Sequence, residues 1–115
     1  MRLPDLADPD ADMARMQDSA REAADFLRAL GHEGRLMMLC YLVPGEKSVG
    51  ELEALLGARQ AAVSQQLARL RHEGLVQARR DGKTVYYRLA DPRAMRILEL
   101  LYALFCAPDG PERET

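Results

Sequence analysis

SVGELEALLGARQAAVSQQLARLRHEGLVQARRDGKTVYYR, running from Ser48 to Arg88, is the stretch whose reading decides the fold. Ser48 with Glu51 three residues on is a capping box, in which each side chain satisfies a backbone N–H at a helix start. The short helix it opens closes at Gly57, the residue type that tolerates a left-handed cap. A second helix is predicted from about Gln60 to His72, stopped by Gly74. Leu75 to Arg80, an Asp81-Gly82 turn and Thr84 to Leu89 then read as a hairpin, because Asp-Gly is among the best two-residue hairpin signals.

Helix, tight turn, helix and basic hairpin, in that order, are the parts with which a winged helix-turn-helix reads duplex DNA. In the second helix Val63, Leu67 and Leu70 recur at helical spacing and predict the inward side. The opposite side carries Ala61, Ser64, Gln65, Ala68 and His72. Small residues let a backbone sit deep in a major groove, and Ser64 and Gln65 have the groups to hydrogen-bond base edges, Gln pairing best with adenine. Gln60 stands at the helix start, where free N–H groups favour a phosphate. Arg59, Arg69 and Arg71 flank this face and are expected to position it by phosphate contact; Arg79, Arg80, Lys83 and Arg88 suit a wing lying along the backbone or minor groove. A surface helix simply facing water is the competing reading of the same polar face, and charge decides between them.

The net charge of −2 hides a division. Residues 59–88 hold seven basic groups against two acidic ones, a local balance of +5, while the other 85 residues balance at −7. The local field, not the total, governs attraction to phosphate.

Outside this module the chain reads as mostly helical. Residues 1–12 are acidic and interrupted by Pro4 and Pro9, and are expected to be disordered. Asp12 is a candidate cap for a first helix with Met13, Met16, Ala20, Ala23, Ala24 and Leu27 at helical spacing, ending at Gly31. A helix from about Glu33 sets Leu36, Leu39, Cys40 and Val43 on one side and ends at Pro44-Gly45. Asp91-Pro92 opens a last helix with Ile97, Leu98, Leu101, Leu104 and Phe105, followed by a flexible tail over 107–115. The fold class is therefore five helices with a hairpin wing between the fourth and fifth, in one domain over residues 13–106. The 48% apolar content is ordinary for a globular chain, no apolar run is long enough to span a bilayer, and nothing at the start resembles a signal peptide. A cytoplasmic location is expected, where the two cysteines, Cys40 and Cys106, are more apt to be chemical than structural.

Leu30-Gly31-His32-Glu33-Gly34-Arg35-Leu36, the Val63-Ser64-Gln65-Gln66-Leu67-Ala68-Arg69-Leu70 stretch, Gly74-Leu75-Val76, and Gly82-Lys83-Thr84-Val85-Tyr86-Tyr87-Arg88-Leu89 resemble the ArsR family of bacterial repressors over roughly residues 13–106. The resemblance implies a homodimer with first and last helices at its interface, an inverted-repeat operator and release by a chemical signal. Arg59 stands where a capping Ser is common in that family and Gln66 where a His is common, departures that bear on operator preference. Metal-sensing members carry a Cys-x-Cys pair at the third helix or His and acidic ligands along the last one. Here the first position reads Ser48-Val49-Gly50 and no His follows His72, so no metal or other cofactor is expected.

Taken singly, Cys40 reads as a core-filling thiol and Cys106 as a partly exposed one near a helix end. Together they match the sulfide- and persulfide-responsive subgroup of the family, the SqrR/BigR type, in which cysteines on the second and last helices are joined by a disulfide or polysulfide. The resemblance thus implies a persulfide or polysulfide inducer and target genes of sulfide oxidation or sulfur detoxification. A general oxidant sensor closing a simple disulfide is the alternative, and a metal sensor a weaker one. An enzyme is disfavoured, because the chain has no Cys-x-x-Cys, no Gly-rich phosphate loop and no evident His or acidic partner for either thiol. A winged helix that binds protein instead of DNA is separable by the salt dependence of binding. His32 is expected to be structural or solvated, and His72 is equally open to a phosphate contact or plain exposure.

Overall fold

The computed structural model describes residues 9–106. The elements in chain order are α1 (Pro9–Leu30), α2 (Glu33–Tyr41), β1 (Lys47–Ser48), α3 (Val49–Leu56), α4 (Gln60–His72), β2 (Val76–Asp81), β3 (Thr84–Leu89) and α5 (Pro92–Phe105). The predicted tail over 107–115 and most of the predicted N-terminal segment lie outside the described residues.

The chain divides into two compact units between His32 and Glu33. The first is built on α1, which begins at Pro9, three residues before the predicted cap at Asp12, so the last part of the segment expected to be disordered is helical. Proline suits a first helical position, where its missing N–H has no partner to lose. Ion pairs one turn apart, Arg15 to Asp12 at 3.3 Å and Arg28 to Asp25 at 2.6 Å, lie on exposed helix surface and contribute a few tenths of a kcal/mol each. Ala29 and Leu30 are buried at its end, whereas Met13, Met16 and Leu27 are exposed.

In the second unit the core gathers Met38, Leu39 and Leu42 from α2 and its following turn, Leu52 of α3, and Val63, Leu67 and Leu70 of α4. Leu75 and Val76 at the root of the hairpin and Ala94 and Leu98 of α5 complete it. The predicted inward stripe of α4 is thus the buried one, and α4 has the predicted bounds. On α2 the sequence reading named Leu39 correctly but missed Met38 and Leu42, because a nine-residue helix gives periodicity little to work on. Of the apolar residues named on α5, Leu98 is buried, whereas Phe105 is 65% exposed.

Caps set the ends. Ser48 accepts from the Glu51 N–H at 3.1 Å and the Glu51 carboxylate accepts from the Ser48 N–H at 2.8 Å, so the capping box is complete. Those hydrogen bonds hold the Glu51 carboxyl below its usual pKa. Gly74 takes a left-handed φ of 79° after α4, with Leu75 N–H to the Leu70 carbonyl at 2.9 Å and Gly74 N–H to the Arg71 carbonyl at 3.0 Å, a Schellman closure. Asp91 caps α5, its carboxylate accepting from the Arg93 N–H at 2.8 Å, with Pro92 at the first position.

The sheet has three strands in the order β1-β3-β2, all antiparallel. Asp81 pairs with Thr84, so the two-residue loop is Gly82-Lys83, one residue later than predicted. Gly82, at φ 63°, occupies the first loop position, where the tight hairpin turn demands positive φ. Two residues, Lys47 and Ser48, form β1 against Tyr87 and Tyr86, a strand too short to announce itself in sequence.

Candidate nucleic-acid interface and dithiol pair

Burial of Val63, Leu67 and Leu70 turns the other side of α4 outward, and Gln60, Ala61, Ser64, Gln65, Ala68 and His72 are all exposed there. The side chains of Ser64 and Gln65 make no hydrogen bond among the described residues, so their polar groups are available to a ligand. Arg59 occupies the N-cap of α4 with extended backbone and makes no side-chain cap hydrogen bond. The first N–H groups of α4 therefore keep their unmet donors, the arrangement that favours an anion at a helix start.

The seven predicted basic contacts fall into two sets. Arg59, Arg71, Arg80 and Lys83 are exposed and take no ion pair among the described residues. The other three have protein partners. Arg69 sits 3.7 Å from Glu73, one turn on. Arg88 donates to Gln77 across the hairpin at 2.7 Å. Arg79 grips the Glu46 carboxylate with both Nε, at 3.3 Å, and Nη2, at 2.5 Å, while its guanidinium carbon lies 4.8 Å from the centre of the Tyr86 ring. Hydrogen bonding from Arg79 holds the Glu46 carboxyl below its ordinary pKa, and Glu46 in turn raises that of Arg79. Sequence reading missed Glu46 altogether, because its partner lies 33 residues away and a single acid between Gly45 and Lys47 carries no local signal.

Both cysteines are free thiols in the second unit. Cys40, near the end of α2, is half-buried, beside the core residues Met38 and Leu39 in sequence. Cys106 caps the C-terminus of α5, is exposed, and its N–H donates to the Tyr102 carbonyl at 2.8 Å. Burial pushes the Cys40 thiol above its ordinary pKa, and the Cys106 thiol pushes it further the same way.

A helix with a groove-sized polar face, a preceding helix packed on it and a basic hairpin beside it define a winged helix-turn-helix DNA-binding regulator. Residues 32–78 match the family model described as bacterial regulatory protein, arsR family. A biofilm growth-associated repressor of Agrobacterium fabrum is 52% identical over 82% of this chain and 80% of its own length. Among solved structures, the transcriptional repressor BigR of Xylella fastidiosa superposes with a TM-score of 0.78 at 45% identity, over 83% of this chain and 97% of that one. Reduced HlyU of Vibrio cholerae does so with a TM-score of 0.77 at 41% identity, over 81% and 98%. The chain belongs to the arsR family of bacterial transcription regulators.

Proposed function

We propose that this protein is a dithiol-based transcriptional repressor, a homodimer that binds an inverted-repeat operator and releases it when a persulfide or polysulfide links Cys40 to Cys106 within one subunit. The observation that carries this reading is that two free thiols, one on α2 and one at the end of α5, belong to the same compact unit, with Cys106 among the groups that raise the Cys40 pKa. Two relatives described as repressors, one from Agrobacterium and one from Xylella, support the sign of regulation. The exposed Leu100, Tyr102 and Phe105 of α5, and separately Met13, Met16 and Leu27 of α1, are the kind of apolar surface that a second subunit covers. The protein would act in the bacterial cytoplasm, on genes of sulfide oxidation or sulfur detoxification.

The chemistry is thiol–disulfide exchange. A thiolate of the pair attacks the outer sulfur of a persulfide RSSH, RS⁻ leaves and takes a proton, and the cysteine becomes a persulfide. The second thiolate attacks the inner sulfur of that group and expels HS⁻, closing a disulfide. Two thiols are thereby oxidised and one sulfur is reduced to sulfide, with no further oxidant. When both cysteines are persulfidated, the terminal sulfur of one attacks the inner sulfur of the other, and the bridge that remains holds three sulfurs. A plain disulfide needs Cα atoms within about 7 Å, so added sulfur relaxes a distance requirement that peroxide chemistry cannot. The link would join α2, which packs on α3, to α5, which follows the wing. A bias of roughly 3 kcal/mol toward the weak-binding arrangement lowers DNA affinity more than 100-fold.

Intact-mass analysis of the reduced chain after glutathione persulfide treatment tests this, alongside binding to a duplex that the wild-type chain has selected from a random library. A Cys40–Cys106 cross-link with added sulfur, together with lost binding, is the expected result. Normal release by Cys40→Ser sinks the switch, and equal cross-linking by peroxide turns it into a general oxidant sensor.

A further inference from the structure

The hairpin's basic residues are not equivalent. Residues on one face of the sheet alternate, so Gln77 and Arg79 of β2 share a face with their partners Arg88 and Tyr86 of β3. Ser48, paired with Tyr86 from the other side, and Glu46 two residues before it continue that row. The Arg79 guanidinium spans the whole sheet along it, lying over the Tyr86 ring and ending in a two-pronged grip on Glu46. Glu46 lies in the segment that leads into Ser48, and Ser48 is the cap of α3. The two-residue ladder of β1 with β3 ties the same segment to the wing beside it.

We propose that Glu46 is a positioning residue for DNA binding: by clamping Arg79 across Tyr86 it braces the wing against the entry to α3, and Arg79 serves as the strut of that brace and not as a phosphate contact. The free cations, Arg80 and Lys83, are then left to meet the backbone from the wing tip. A planar guanidinium suits this task, since it stacks on an aromatic ring and binds a carboxylate with two parallel hydrogen bonds at once. The pair is partly exposed, with the Arg79 side chain 50% and Glu46 34% accessible, so its loss leaves the fold standing while freeing the wing.

The sign of one substitution separates this from ordinary electrostatics. Glu46→Ala removes a negative charge beside the interface, which by charge alone tightens DNA binding; the brace predicts instead a loss of about threefold to tenfold for the reduced full-length protein on its library-selected duplex. Arg79→Gln and Arg79→Lys lose as much, because Lys keeps the charge without the fork, and Glu46→Ala combined with Arg79→Gln is no worse than either alone. The slope of log affinity against log salt stays unchanged in all of them. Tighter binding by Glu46→Ala, rescue by Lys at Arg79, additive losses, or a slope reduced by about 0.9 on losing Arg79 would each overturn the brace. This rests on the DNA-binding reading, and wild-type protein that selects no duplex fails both together, whereas the variant outcomes fail the brace alone.

Discussion

The α4 surface and the thiol pair make opposite use of burial. On α4, the proposed DNA contacts sit on exposed side chains whose aim is fixed by an unbroken buried stripe, Val63, Leu67 and Leu70, and the side chains of Ser64 and Gln65 make no hydrogen bond among the described residues. At the thiols one residue is half-buried on α2 and the other is exposed at the end of α5, so the proposed bond would tie an exposed helix end to a partly buried helix. A surface that reads must hold still; a pair that switches must connect to what holds the reader. That difference predicts that damage to the α4 stripe disables everything, while damage at the thiols leaves binding intact and removes only its control.

The most severe break of the comparison is Leu67→Ala. Leu67 is fully buried, and its truncation should lower stability by about 2–5 kcal/mol, measured by urea unfolding. A loss well under 1 kcal/mol would mean that the stripe does not anchor the reading face. Next, Gln65→Ala is expected to cost about 1–3 kcal/mol of operator affinity at unchanged salt slope, whereas Lys83→Gln lowers the slope by about 0.9 with little change in sequence preference. Fluorescence anisotropy across salt concentrations distinguishes them, and identical behaviour would erase the division between base-reading helix and phosphate-contacting wing.

The smallest effect lies at the thiols. A raised Cys40 pKa means the neutral thiol is favoured in the folded protein, so its thiolate accumulates at higher pH than that of free cysteine, whose pKa is about 8.5. Alkylation of Cys40 in the reduced chain, followed by peptide mass spectrometry, should show a midpoint displaced to alkaline pH. Cys106→Ser removes the Coulombic contribution and moves that midpoint part of the way back. A midpoint at or below that of free cysteine would show that neither burial nor the neighbouring thiol acts on Cys40.

How far sequence reading reached follows the range of the interactions involved. The α3 capping box, Gly57, the bounds of α4, its inward stripe and the Asp91-Pro92 start of α5 all depend on residues within a turn or two of one another. The hairpin was placed correctly, but its loop was set one residue early, because Asp-Gly and Gly-Lys both satisfy the local demand for one left-handed glycine and only cross-strand pairing chooses between them. The strand β1 escaped notice since two residues have no periodicity.

What the sequence determined by itself was the series of elements, the outward identity of the α4 face and the concentration of positive charge over residues 59–88, all of which are carried by local pattern and composition. Only the tertiary structure decided which cations are free and which are spent on Glu46, Gln77 and Glu73, and that burial, with a smaller effect from Cys106, raises the Cys40 pKa. The reason is separation along the chain. Arg79 and Glu46, 33 residues apart, meet through packing of the whole unit, and no short-range preference in either neighbourhood encodes the meeting.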